Sequence, residues 1–164
     1  LGAPVDTVLV VVGPGDRAIR AALARRPLIF VENPDLTDDM LGSVRCALRA
    51  LPQRVETILV SPADQPSIGA DLIGRMLAAF RAGTRSILVP VHGGRRGHPL
   101  IFAGRYRDEL MTSHDGVGLR GLLRTHAAEV GEWPTDDTAV LEDLDTPADY
   151  REAARQTEAP DFGP

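Results

Sequence analysis

The sequence predicts an α/β fold, a mostly parallel sheet with helices on both faces. Three observations lead there. The strand-like runs are apolar throughout rather than alternating: residues 7–12 (TVLVVV), 56–61 (ETILVS) and 86–91 (SILVPV). A sheet buried on both faces needs such runs. Helical stripes separate the runs, which gives the β-α-β-α order of a parallel sheet. Each run ends in glycine, proline or aspartate, so turns fall at the carboxyl edge of the sheet, where ligands of such sheets bind.

The elements follow in order. After residues 7–12, Gly13-Pro14-Gly15 makes a sharp turn, and Asp16 stands where it could cap a helix carrying Ile19 and Leu23. Residues 28–32 are a second short strand, broken by Asn33-Pro34-Asp35. Residues 40–51 carry Leu41, Val44, Leu48 and Leu51 at helical spacing. Residues 56–61 form the third strand and 62–66 a turn. Residues 68–82 form a helix with Leu72, Ile73, Met76, Leu77 and Phe80 on its apolar side. Residues 86–91 are the fourth strand, 93–97 a flexible glycine-rich loop and 100–102 a further strand. Short helices are expected at 105–111 and 119–126, short strands at 129–133 and 139–142, and a closing helix at 147–156 started by Pro147. Residues 1–156 read as one domain and 157–164 as a flexible polar tail.

Composition bounds the function. A chain of 164 residues buries enough surface to fold without staples. Its one cysteine, Cys46, cannot form an internal disulfide, which suits a reducing cytoplasm, and it reads as a small packing residue. A net charge of −5 and 4% aromatic residues argue against a nucleic-acid partner. No run approaches the roughly 20 apolar residues that span a bilayer, so no membrane partner is expected.

Three segments could carry chemistry. Asp64, in Ser61-Pro62-Ala63-Asp64-Gln65-Pro66, is held at the sheet's ligand edge, where a lone carboxylate suits Mg²⁺ completed by water and substrate phosphates. Asp-x-Pro is also ordinary turn chemistry. In Glu142-Asp143-Leu144-Asp145-Thr146-Pro147, alternation puts Asp143 and Asp145 on one side of an extended segment. Asp145 could be a second metal ligand, or either Asp145 or Thr146 a helix cap. The loop from Pro90 to Pro99 holds three glycines and two histidines and could let backbone approach a ligand, or be an exposed hairpin. Gly13-Pro14-Gly15 lacks the spacing of a phosphate loop and reads as a turn. His114 and His126 have no partner visible in the sequence.

Together these segments resemble the MobA-like nucleotidyltransferase family, and within it the molybdenum cofactor cytidylyltransferases. The resemblance is carried by Asn33-Pro34-Asp35 followed by Met40 and Ser43-Val44, by Asp64-Gln65-Pro66, by the Pro90–Pro99 loop with its Gly97-His98-Pro99, and by Asp143-Leu144-Asp145-Thr146-Pro147. These run in the family's order over nearly the whole chain. The resemblance implies a three-layer, Rossmann-like fold of the nucleotide-diphospho-sugar transferase type. It implies Mg²⁺-dependent transfer of a nucleotidyl group to a phosphorylated acceptor with release of pyrophosphate. The donor is expected to be CTP ahead of GTP or ATP, and the acceptor molybdopterin or a similar molecule, with a molybdoenzyme or maturation factor as a possible partner. Asp64 and Asp145 would hold Mg²⁺ with Asp143 beside them, Gly97, His98 and Pro99 would line the acceptor side, and Asn33 and Ser43 would lie near the nucleotide.

The family opens with a strand and a glycine-rich segment, L-A-A-G-x-S-x-R-M-G, that grips the triphosphate; residues 7–12 instead match its second strand. The fold is therefore expected to lack its first strand and helix, and this chain by itself to be inactive and to need a partner over an apolar edge. The alternative is a binding or assembly module of the same fold that has lost catalysis. An unrelated α/β domain fits the ordered motifs less well.

Overall fold

A computed structural model describes residues 2–35, 39–144, 146 and 151. Seven strands and five helices follow in the order β1 (Leu9–Val12), α1 (Arg17–Leu23), β2 (Ile29–Glu32), α2 (Met40–Ala50), β3 (Thr57–Val60), α3 (Ala70–Ala82), β4 (Ile87–His92), β5 (Arg95–Arg96), β6 (Leu100–Ala103), α4 (Arg107–Thr112), α5 (Leu119–Thr125) and β7 (Val130–Pro134). Three turns of 3-10 helix lie at Gly104–Tyr106, Ala127–Glu129 and Thr138–Leu141.

Strand β1 pairs in parallel with β2, and β4 in parallel with β7. β6 runs antiparallel between β3 and β4. β3, β4 and β7 thus run one way while β5 and β6 run the other, because β4 turns back on itself through the short β5 rather than crossing over a helix. Among the described residues no strand joins the β1–β2 pair to the sheet that contains β3.

The sheet is covered on both faces. Ile87 and Val89 of β4, with Leu100 and Phe102 of β6, point to one side and pack on Leu41, Val44 and Leu48 of α2, Leu110 of α4 and Leu122 of α5. Leu88 and Ile101, one residue out of phase, point to the other side and pack on Leu72, Met76 and Leu77 of α3 and on Val140. This two-residue alternation of fully apolar strands makes the three layers. Each such large side chain contributes roughly 1.5–3 kcal/mol through burial. Helix α1 buries none of its residues, and Ile19 and Ile29 of the β1–α1–β2 unit stay exposed.

Several expectations are corrected. Residues 139–142 are not a strand: Asp137 accepts a hydrogen bond from the Ala139 N–H at 3.1 Å and starts the 3-10 turn that buries Ala139 and Val140. The glycine-rich loop is a tight hairpin rather than a flexible loop. Gly93 and Gly94 turn at φ 56° and 78°, and Arg95 and Arg96 pair with β4. Residues 105–111 divide into a 3-10 turn and α4. Asp16 does not cap α1; its carboxylate accepts from the Gly13 N–H at 2.8 Å and closes the preceding turn. The helix expected at 147–156 and the tail at 157–164 lie outside the described residues, apart from Arg151.

Candidate active site

Three loops meet at the carboxyl edge of the sheet: residues 61–66 after β3, 92–99 after β4, and 138–144. Backbone hydrogen bonds tie them together. The Leu144 N–H donates to the Asp64 C=O at 2.8 Å, the His98 N–H to the Val140 C=O at 2.9 Å, and the Gly97 N–H to the Pro90 C=O at 2.9 Å. Position 97 requires glycine for close approach, since a Cβ there would stand 2.0 Å from the Val140 carbonyl oxygen.

The loops enclose a cavity of about 360 Å³, within the range of small-molecule sites. Asp64, Gln65 and Asp143 line it, with Gly97 and His98, Arg95, Arg96 and Arg120, and Met40. Gln65 donates through Nε2 to Oδ1 of Asp143 and joins the first loop to the third. Arg96 is paired with Glu132 at 2.8 Å. No ion pair or hydrogen bond engages the Arg95 or Arg120 side chain among the described residues. Burial pushes the His98 imidazole below its usual value of 6.5, against the opposing pull of the Asp143 and Asp64 carboxylates, so the ring is neutral at neutral pH. Its Nδ1 is buried and unpartnered.

The structure brings together Asp64, Asp143, Gly97 and His98 of the residues singled out from the sequence. Pro99 is fully buried behind the loop and does not line the cavity. Asn33 and Ser43 meet each other instead. Asn33 Nδ2 donates to Ser43 Oγ at 3.1 Å, and Asn33 Oδ1 accepts from the Asp35 N–H at 3.1 Å, fixing the end of β2 against the start of α2. Neither lines the cavity among the described residues. Asp145 lies outside the described residues. Cys46 is buried in α2 as a packing residue.

Arg120 was not singled out from the sequence, and Met40 only as a residue that carries the family resemblance. Arg120 sits on α5, and no local pattern marks it. It reaches the site because Arg45 of α2 grips the preceding turn, donating to the Leu110 and Ser113 carbonyls at 2.8 Å each and to Asp115 at 2.6 Å.

A cluster of three or more His, Cys, Asp or Glu side chains able to hold a metal is absent among the described residues. Two oxygen-donor carboxylates on one cavity nevertheless fit a hard divalent ion, which Mg²⁺ and Mn²⁺ sites complete with water and substrate phosphates. No helix among the described residues is long and apolar enough to cross a membrane.

Fold and cavity together define a three-layer, Rossmann-like α/β protein whose cavity at the carboxyl edge of the sheet is lined by both carboxylate and arginine residues. Residues 1–130 match the MobA-like NTP transferase domain, and the chain belongs to that nucleotidyltransferase family. It is 30% identical over 145 residues to nicotine blue oxidoreductase of Paenarthrobacter nicotinovorans, spanning 85% of this chain and 71% of that protein. It is 32% identical over 117 residues to 2-C-methyl-D-erythritol 4-phosphate cytidylyltransferase of Salinibacter ruber, spanning 65% of this chain and 48% of that protein. Among solved structures, Rv0371c of Mycobacterium tuberculosis superposes with a TM-score of 0.77 at 28% identity, covering 92% of this chain and 76% of that one. The same protein has also been solved as a manganese complex.

Proposed function

We propose that the protein transfers a nucleotidyl group from a nucleoside triphosphate, CTP ahead of GTP or ATP, to a phosphorylated acceptor such as molybdopterin, releasing pyrophosphate. The observation that carries this reading is the cavity's division of charge: Asp64 and Asp143 among its lining carboxylates, and the unpaired guanidiniums of Arg95 and Arg120. An anionic polyphosphate is repelled by the first group and held by the second, so a cation between carboxylates and phosphates completes the arrangement. Mg²⁺ or Mn²⁺, held by Asp64 and Asp143 with Asp145 as a further ligand, would supply charge neutralisation for the phosphates when bound.

The chain's own residues do the rest. Arg95 and Arg120 bind and orient phosphate oxygens, Arg with the planar fork that suits them. Gly97 lets the loop backbone come close to the acceptor. His98, whose charged form burial disfavours, keeps the acceptor side free of a further cation. The acceptor phosphate oxygen attacks the α-phosphorus, a new P–O–P bond forms, and the bond to the pyrophosphate oxygen breaks. No protein nucleophile is needed, because positioning and electrostatics carry phosphoryl-type transfer.

The manganese complex of Rv0371c and the cytidylyltransferase name of the Salinibacter relative support the divalent ion and CTP respectively. The test is pyrophosphate release by the full-length protein, with CTP, GTP and ATP each offered together with molybdopterin. Release with CTP supports the reading. Release with another nucleotide alone corrects the donor. Tight nucleotide binding without release points to the noncatalytic module.

A further inference from the structure

Gln65 carries a polar amide on a residue only 6% exposed. Asp143 fixes its orientation: a carboxylate accepts only, and Gln65 Nε2 donates to its Oδ1. Gln65 Oε1 is therefore committed elsewhere, and it is buried with no hydrogen-bond partner among the described residues. Buried acceptors are paired in the great majority of cases, so an orphan calls for a partner from outside the chain. The only other such side-chain atom among the described residues is Nδ1 of His98, which lines the same cavity. Both residues that carry an orphaned atom therefore line one cavity.

We propose that Gln65 is a positioning residue for a divalent cation: it holds the Asp143 carboxylate toward the ion through Nε2 and accepts a hydrogen bond from the ion's hydration shell through Oε1. The proposal rests on the reading of Asp64 and Asp143 as cation ligands. An ion such as Mg²⁺ keeps several of its waters, each a donor. A ligating carboxylate is itself held by a hydrogen bond in most metal sites, and loss of that partner weakens affinity by roughly ten- to a hundredfold. The backbone supports the same geometry, since Leu144 N–H to Asp64 C=O fixes the two loops on either side of the Gln65–Asp143 contact.

The probe is Mn²⁺ alone, titrated into the full-length protein and followed by electron paramagnetic resonance of the free ion. The variants are Gln65→Leu, Gln65→Met, Asp64→Asn, Asp143→Asn and the double variant Gln65→Leu/Asp143→Asn. Both Gln65 changes keep an apolar side chain of similar size, so either one that melts cooperatively serves. The expected result is a loss of Mn²⁺ affinity of roughly tenfold or more in the Gln65 variants. The double variant should lose less than the two single losses combined, because the Nε2 part of the Gln65 effect passes through Asp143. Wild-type affinity in the Gln65 variants beside a loss in Asp143→Asn overturns the proposal and leaves the cation reading standing. Additive losses in the double variant also overturn it, as they assign Gln65 a merely structural role. Wild-type affinity in both aspartate variants overturns the cation reading itself.

Discussion

Gly97→Ala tests how tightly the site loops are interlocked. The added Cβ would lie 2.0 Å from the Val140 carbonyl oxygen, whereas real Cβ contacts do not fall below 3.0 Å, so the loop must retreat by about 1 Å (3.0 − 2.0). Forcing a methyl into such a place costs roughly 1–3 kcal/mol. Losing the adjacent His98 N–H to Val140 C=O bond adds about 1 kcal/mol. A destabilisation of roughly 2–4 kcal/mol lowers the melting temperature of a domain this size by roughly 4–16 °C. The displacement also moves His98 relative to Asp64 and Asp143, and a misplacement of about 1 Å can reduce turnover roughly a hundredfold. Thermal melting by circular dichroism and pyrophosphate release at a temperature where both proteins are folded measure the two effects. Gly104→Ala is the control, because its Cβ would meet the Val55 carbonyl oxygen at 1.6 Å, away from the cavity. It should destabilise without changing turnover per folded molecule. A Gly97→Ala protein that melts with the wild type and turns over at its rate would refute the reasoning.

Three further outcomes are expected. Hydrogen bonds from Ser86 and Tyr106, with the Arg105 charge, hold the Glu129 carboxyl down to about 2 from its usual 4.5. A depressed carboxylate contributes stability above its unfolded value that is lost as pH falls. Ser86→Ala and Tyr106→Phe should therefore flatten the loss of stability between pH 4.5 and about 2, read from denaturant midpoints; an unchanged acid slope would contradict this. Glu109 joins His114 and His126, each at 2.7 Å, so Glu109→Ala leaves two imidazoles without their carboxylate and should cost roughly 1–3 kcal/mol by chemical denaturation. Arg120→Ala should raise the apparent KM for the phosphorylated substrates while leaving the melting temperature in place, and an unchanged KM would remove Arg120 from the site.

Much of this was legible because it is local. The unbroken apolar run of residues 86–91 already states that β4 is buried on both faces, and the structure divides its side chains between two cores. Asp64 was legible for the same reason: a strand fixes where the next residues go. The antiparallel β6 was not, because the strand's own residues look the same in either direction and only the Gly93-Gly94 turn decides. The 3-10 turn at Thr138–Leu141 was misread as a strand because its apolar residues are buried by contact with α3 and β6, which no short window contains. Asn33 and Ser43, which the resemblance puts near the nucleotide, hydrogen-bond each other and do not line the cavity among the described residues. Arg120 and the orphaned Gln65 oxygen are products of tertiary placement, through Arg45 for one and Asp143 for the other.

The central claim is that Asp64 sits in a divalent-cation site that serves nucleotidyl transfer. Pyrophosphate release by the full-length protein, measured with and without Mg²⁺ or Mn²⁺ for wild type and Asp64→Ala, tests it most directly. The expected result is release that chelation stops, that either ion restores, and that Asp64→Ala abolishes without loss of cooperative melting. Wild-type turnover by Asp64→Ala, or release indifferent to the ions, would contradict it.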